Sequence, residues 1–465
     1  MKAFIFIASL FIFFFSCKKE SFTTSPDAFL KINEDTLHFD TVFTTTGSVT
    51  QSFKIFNNNS KAVHLTSVTL MGGALSPFKI NADGKAGPQA TGIDIAGNDS
   101  AYVFVTVSIN PSANGLPFVI RDSIEIVYNS NKIKVQLEAY GQNAHFFRSR
   151  IITGQEVWNN DLPYVILGGM LVSKTGQLTI NKGCKIFMHA DAPLIIDGTL
   201  KVQGEKWDST RVVFKSDRLD EPYRDFPAGW PGIIFTANSK NNFIQYAAIK
   251  NAYQAIAMEE PAVGGASKLT ITESVIDNAY DAGILAVNSS IVAQNLLISN
   301  CGKNLVLVKG GTYQFTHCTV ASFGNNYIQH KEPVLFLTNY LTQNNIVSGN
   351  NLTATFRNCI FWGDNSSLVE NEVVLDKKGT SNFAATFENV LWRVKTAPSQ
   401  ATVLNAINNL PPLFDSVNAA KRFFNFHLLA GSPAINKGIN AGVPLDLDGA
   451  PRPVGLPDIG AYEKQ

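Results

Sequence analysis

At 465 residues the chain exceeds one ordinary globular domain. Charged residues make up only 16% against 45% hydrophobic and 33 phenylalanines, a composition suited to strands rather than to charged surface helices. The net charge of +1 argues against a nucleic-acid groove and against a polybasic membrane surface.

In chain order, Met1-Lys2 precedes an apolar run from Ala3 to Phe15 that is too short to span a bilayer as a retained helix, so residues 1–16 read as a signal peptide. Ser16-Cys17 at the end of that run resembles the lipobox of bacterial lipoproteins. The resemblance implies that Cys17 becomes the lipidated N-terminus, anchored by more acyl chains than one modification supplies. It also implies export to the outer membrane of a Gram-negative bacterium, facing either the periplasm or the outside. Residues 17–26, with Lys18-Lys19-Glu20 and a Ser/Thr-rich stretch, form a polar tether.

Residues 27–143 alternate apolar and polar residues in short blocks: Ser52 to Phe56, Val63 to Leu70, Ala101 to Val107, Ser123 to Tyr128 and Ile133 to Ala139. Turn clusters such as Asn57-Asn58-Asn59 and Asn129 to Asn131 separate them, which predicts a β-sandwich. Phe39-Asp40-Thr41-Val42, Phe53 to Asn57 and Val135 to Gly141 resemble immunoglobulin-like domains of the hydin type, which implies a spacer or binding module. This stretch contains no cysteine, so apolar packing alone must hold it.

From Gly168 onward, short runs of Leu, Ile, Val, Phe and Thr are punctuated by single Gly, Asn and Asp residues, as expected of many short strands joined by tight turns. Ala248-Ile249-Lys250-Asn251, Val275-Ile276-Asp277-Asn278 and Leu297-Ile298-Ser299-Asn300 share one order of residue types. Ile249, Ile276, Ile298 and Val320 fall 27, 22 and 22 residues apart, one turn of a three-sided helix of parallel strands. Asn251, Asn278 and Asn300 then stack at one corner as a structural ladder, since Asn tolerates a left-handed backbone and its amide can bond the next coil.

These repeats, with Gly198-Thr199-Leu200 and Gly229-Trp230-Pro231-Gly232, resemble the right-handed parallel β-helix of the pectin-lyase-like superfamily over residues 144–426. The fold implied for the chain is all-β: an N-terminal immunoglobulin-like β-sandwich followed by a right-handed parallel β-helix. Residues 427–465, with Gly431-Ser432-Pro433 and Asp458-Ile459-Gly460-Ala461-Tyr462-Glu463, resemble the closing module of bacterial surface β-helix proteins, and their Pro and Gly residues suit a cap over the last coil. Asp446-Leu447-Asp448-Gly449 resembles part of a calcium loop, which makes Asp446 and Asp448 candidate metal ligands; the remaining ligands of an EF-hand are lacking, and the alternative is a turn with Arg452 paired to Asp458 or Glu463. No other cofactor is expected.

Cys184, Cys301, Cys318 and Cys359 read as buried thiols, with a disulfide between Cys318 and Cys359 within reach on adjacent coils. Asp277, Asp281 and Lys303 are the candidate catalytic groups, against a solvated ion-pair strip. Tyr253, Tyr280, Trp207, Trp230 and Trp362 are the candidate ligand-binding aromatics, because an exposed ring offers a flat face to a sugar whereas an inward ring fills core. The expected role is a scaffold that binds glycan, envelope or a partner protein, with a polysaccharide lyase or glycoside hydrolase, or an assembly or adhesin subunit, as the alternatives.

Overall fold

The computed structural model describes residues 21–43, 48–109, 118–262, 267–364 and 368–465. The leader, Cys17 and the start of the tether lie outside the described residues. The chain divides between Asn143 and Ala144 into two compact units, and both are built from strands.

The first unit is a sandwich of two five-stranded sheets. Strands Leu30–Ile32, Gln51–Asn57, Asp99–Val107 and Phe78–Ala82 lie in one sheet; Thr36–Phe43, Asn131–Gln142, Phe118–Tyr128 and Ser67–Leu70 lie in the other. Alternation along each strand sends Phe39, Phe53, Val103, Ile124 and Val135 inward, where all are buried. The Phe39 and Phe78 rings meet at 5.7 Å. This packing replaces the disulfide that a cysteine-free sandwich cannot form.

The second unit is a parallel β-helix of three faces. The first face runs through Leu194–Ile196, Ile233–Phe235 and Gln254–Glu259; the second through Gln177–Asn181, Thr199–Gln203, Asn242–Gln245 and Leu269–Thr272; the third through Ala247–Lys250, Val275–Asp277, Leu297–Ser299 and Thr319–Ser322. Every one of these strands pairs in parallel with its counterpart on the neighbouring coil. Ile249, Ile276, Ile298 and Val320 are direct partners in that register, as the repeat alignment requires, and the column continues inward as Phe361 and Trp392. On the second face Phe315, Phe356 and Phe387 stack inside the helix, with centroids 5.4 and 4.8 Å apart. At the opening coil, Phe147 stacks on Trp158 at 5.6 Å and Trp158 on Tyr164 at 4.3 Å, a ring stack that covers the apolar interior. Cys318 and Cys359 precede directly paired residues on adjacent coils and are buried free thiols, as are Cys184 and Cys301.

A left-handed residue makes each sharp corner. Asn251, Asn278 and Asn300 turn the third face into the first at φ of 61°, 58° and 50°. A second corner, between the second and third faces, passes through Tyr246, Glu273, Asn295, His317, Asn358 and Asn389, all with positive φ. The sequence did not reveal this column because its residue types change from coil to coil.

The segment expected to cap the last coil does something else: it lies along the flank of the helix as a strap over this second corner. Asn389 Nδ2 donates to Lys437 O at 2.7 Å, and Asn358 holds Ile439 through both its carbonyl (2.7 Å) and its N–H (2.9 Å). Asn295 Nδ2 reaches Leu445 O at 2.8 Å, and Arg211 Nη2 reaches Leu447 O at 2.9 Å. Returning, Arg452 is buried, donates to His317 Nδ1 and lies 3.7 Å from the Glu463 carboxylate. The preceding hairpin of Phe414–Asn418 and Phe423–Leu428 covers the third face with Phe414, Phe424 and Phe426, so that Leu297 and Ala321 are buried although they point out of the coil.

Two consequences can be measured. Phe356→Ala, which empties the centre of the ring stack, is expected to cost about 3–5 kcal/mol in denaturant unfolding. His317 is held down to about 3 by burial and by the Arg452 charge, against 6.5 when unperturbed. The unfolded chain therefore binds more protons between those values, and stability falls as pH drops through that window, by about 1.4 kcal/mol per pH unit once the unfolded histidine is charged. Asp458 and Glu463, raised by burial, act in the opposite sense, since the stability they give is lost as pH rises through their folded values. His317→Asn keeps those carboxyls, so its urea midpoint should depend less on pH between 6.5 and 3 than that of the native chain; parallel curves would refute the assignment.

Candidate functional site

The residues after Asn251 and Asn278 are small and buried, Ala252 and Ala279, and the next ones project into solvent. Tyr253 and Tyr280 consequently stand one above the other at 46% and 53% exposure, their rings 5.9 Å apart and 25° from parallel. A polar row runs beside them across three coils. Gln254 Nε2 donates to Asp281 Oδ2 at 2.7 Å, and Lys303 Nζ meets Asp281 Oδ1 at 3.2 Å. Lys303 also lines a hollow of about 200 Å³ with Val306, Glu332, Pro333 and Phe336.

Of the three acid–base candidates, this row brings together Asp281 and Lys303. Asp277 sits across the Asn278 corner, where its Oδ1 accepts the Ser299 hydroxyl at 2.7 Å. Its neighbours in the outward column, Ser299 and Ala321, are buried, so the third face is not the open wet surface that the repeat suggested. Each carboxylate thus has its own partners on its own side of the corner.

The asparagine ladder is shorter than expected. Asn278 Nδ2 donates to Asn251 Oδ1 at 2.9 Å, but the next bond to Asn278 comes from Asn325 at 3.0 Å, while Asn300 accepts the Phe323 N–H at 3.1 Å. The same amides also hold a loop: Asn251 bonds Arg224 O and Asn278 bonds Asp225 O, both at 2.9 Å. That loop packs Phe226 between Tyr223 and Tyr327, at 5.0 and 4.7 Å. The corner is therefore a mounting point as well as a stack.

The tryptophans separate. Trp230, which bridges to Ala252 just before the strand Ile233–Phe235, is fully buried and donates its indole N–H to Lys250 O at 2.9 Å. Trp362, at 6% exposure, faces outward beneath the strap, against Leu428, Ala434 and Ile459. Both are core residues and neither is a ligand platform. Trp207 alone of the three is open, at 63% exposure, with Lys206 Nζ 4.6 Å from its ring. Beside it lies a groove of about 640 Å³ lined mainly by carboxamides, among them Asn159, Asn181, Gln203 and Gln245.

Asp446 and Asp448 lie at the tip of the strap. Asp446 Oδ1 accepts the N–H of Asp448 (3.0 Å) and of Ala450 (2.8 Å), and its Oδ2 accepts that of Glu463 (3.0 Å). Asp448 meets His427 at 2.8 Å and Arg211 at 3.6 Å. These bonds are those of a turn, and among the described residues no group of three or more His, Cys, Asp or Glu side chains is placed to hold a metal ion.

One buried cluster had no sequence signal. Glu372, with a fully buried side chain, lies 3.2 Å from His330 and 2.7 Å from Arg393. Burial opposes charging His330, but the bond to Glu372 outweighs it and lifts the imidazole above its ordinary value. The cluster fastens the segment between the strands Thr319–Ser322 and Leu335–Thr338, which bears His330, to the coils; its three residues are more than 20 positions apart in the chain, beyond any local motif.

No family model matches the chain, and no curated protein matches it. Among solved structures, a family 123 glycoside hydrolase from Clostridium perfringens is similar at 15% identity over 27% of this chain and 26% of that one, with a TM-score of 0.19. The chain thus spans about a quarter of that hydrolase. The PapD-like domain of human CEP192 is similar at 14% identity over 28% of this chain and 94% of its own, with a TM-score of 0.16. The CooA pilin subunit of enterotoxigenic Escherichia coli is similar at 12% identity over 24% and 97%, with a TM-score of 0.17.

Proposed function

We propose that this chain is a cell-envelope lipoprotein that displays its β-helix as a glycan-binding scaffold. In this reading Cys17 carries the lipid that holds the protein to the outer membrane of a Gram-negative bacterium. The sandwich serves as a spacer of the hydin immunoglobulin-like type. The observation that carries the binding assignment is the exposed Tyr253–Tyr280 pair beside the Gln254, Asp281 and Lys303 row. Aromatic faces next to hydrogen-bonding side chains suit a sugar, which has apolar C–H patches and polar edges. Asp281, held between an amide and an ammonium, serves as an acceptor for hydroxyls rather than as a proton carrier.

Soluble protein starting at Ser21 should be retained on at least one member of a panel of neutral and acidic polysaccharides. With about 0.5–1.5 kcal/mol per aromatic contact, Tyr253→Ala and Tyr280→Ala should each weaken retention roughly two- to tenfold without lowering the melting temperature. Release of new reducing ends would replace this reading by a lyase or hydrolase, with Asp277 and Asp281 substituted next. A chain that neither binds nor cleaves would direct the search to a protein partner.

The anchor has a separate test. Cells fed a labelled fatty acid should incorporate it into the native protein and not into Cys17→Ala, which should leave the membrane fraction. An unlabelled native protein would refute lipidation.

A further inference from the structure

The tyrosine column breaks off at its third coil. The Tyr280 N–H bonds Ala252 O and the Gly302 N–H bonds Ala279 O, so Gly302 stands where a third ring would follow Tyr253 and Tyr280. A Cβ there would meet Tyr280 O at 2.1 Å, so the position admits no side chain. The polar row beside it does continue, since Lys303 pairs with Ala282 one coil on and reaches back to Asp281 at 3.2 Å. The hollow of about 200 Å³ begins at Lys303, and its other walls come from the same strand and from the following coil, away from Asp281.

Strand alternation builds its floor. Leu305 and Leu307 are fully buried in the core, as are their partners Leu335 and Leu337, so Val306 and Phe336 between them point outward as direct partners on adjacent coils. Pro333 extends this apolar floor, while Lys303 and Glu332, both exposed, supply the polar groups. Asp281 takes one of the three donors of the Lys303 ammonium and leaves two. The hollow thus offers one cationic donor and one anionic acceptor above apolar side chains. An unsubstituted sugar ring brings only hydroxyls and would leave Val306 and Phe336 wet. A carboxylate or a free amine would find one partner and one like charge, and nothing in it would fill the floor. A short N-acyl group matches all three parts: its methyl rests on Val306 and Phe336, its carbonyl oxygen accepts from Lys303 Nζ, and its N–H donates to the Glu332 carboxylate. Along the helix axis the hollow lies one to two coils beyond Tyr280, about 5–10 Å, so one bound oligosaccharide covers both.

We infer that this hollow is a subsite for the acetamido group of an N-acetylated amino sugar, and that the glycan bound at Tyr253 and Tyr280 contains such sugars. The inference rests on the glycan reading and names the class of sugar within it.

Chitohexaose and cellohexaose provide the test, because they share one backbone and differ in carrying an acetamido group or a hydroxyl at C2. In titration calorimetry on the chain starting at Ser21, chitohexaose should bind about tenfold more tightly than cellohexaose, the gain from one buried methyl and one or two hydrogen bonds. The fully deacetylated chitosan hexamer should lack that gain. Phe336→Ala and Glu332→Ala should each bring chitohexaose down towards the cellohexaose affinity, whereas Tyr280→Ala should weaken both sugars and keep their ratio. Phe336 points outward and Glu332 is exposed, and an unchanged melting temperature confirms that the variants fold. Equal affinity for the two hexasaccharides overturns the inference and leaves the glycan reading standing, as does retention on other polysaccharides with neither hexasaccharide bound. A preference for chitohexaose that both hollow variants retain also overturns it, since the acetamido group would then be held elsewhere. If no saccharide is retained at all, the glycan reading falls and the inference with it.

Discussion

The left-handed corner residue is the constraint on which the rest of this β-helix depends. A coil of roughly 22 residues closes only if the chain turns sharply between faces, and a single residue at positive φ does this at Asn251, Asn278 and Asn300. For most side chains that conformation costs roughly 1–2 kcal/mol, less for asparagine, whose short amide can bond locally. Once the corners coincide from coil to coil, the strand registers coincide too, and identical positions stack. Stacking produces the inward phenylalanine column, and it equally places Tyr253 over Tyr280 and Asp281 between Gln254 and Lys303.

The second corner shows the same constraint met by unlike residues. Tyr246, Glu273 and His317 adopt positive φ without the advantage of asparagine or glycine. Their surroundings hold them there: Glu273 accepts from Gln245 and Asn295, and His317 accepts from Arg452. Strap and corner therefore stabilise one another. The corner amides give the strap backbone its hydrogen bonds, and the strap buries the groups that the corner would otherwise expose.

Much of this was legible in the sequence because it is periodic. The Ile249, Ile276, Ile298, Val320 column and the left-handed asparagines both follow from local patterns repeated at one interval. What was not legible is aperiodic or distant. Arg452 and His317 are 135 positions apart, and no pattern in either neighbourhood announces the other. Trp230 and Trp207 carry the same side chain, yet one is a buried bridge residue paired with Ala252 and the other lies in an exposed loop. Trp362 has the outward orientation that the repeat assigns it and is buried all the same, by a segment read as an end cap.

A solenoid usually gains its stability from contacts between neighbouring coils alone, so that it can unravel from either end one coil at a time. Here the strap bonds coils that are not neighbours, from Arg211 to Asn389, and so joins them into one cooperative block. Among the described residues, no strap hydrogen bond reaches the coils before it, from His145 to about Gln203. The strap thus divides the β-helix within a continuous sheet into coils tied to one another across several turns and earlier coils that it does not bond.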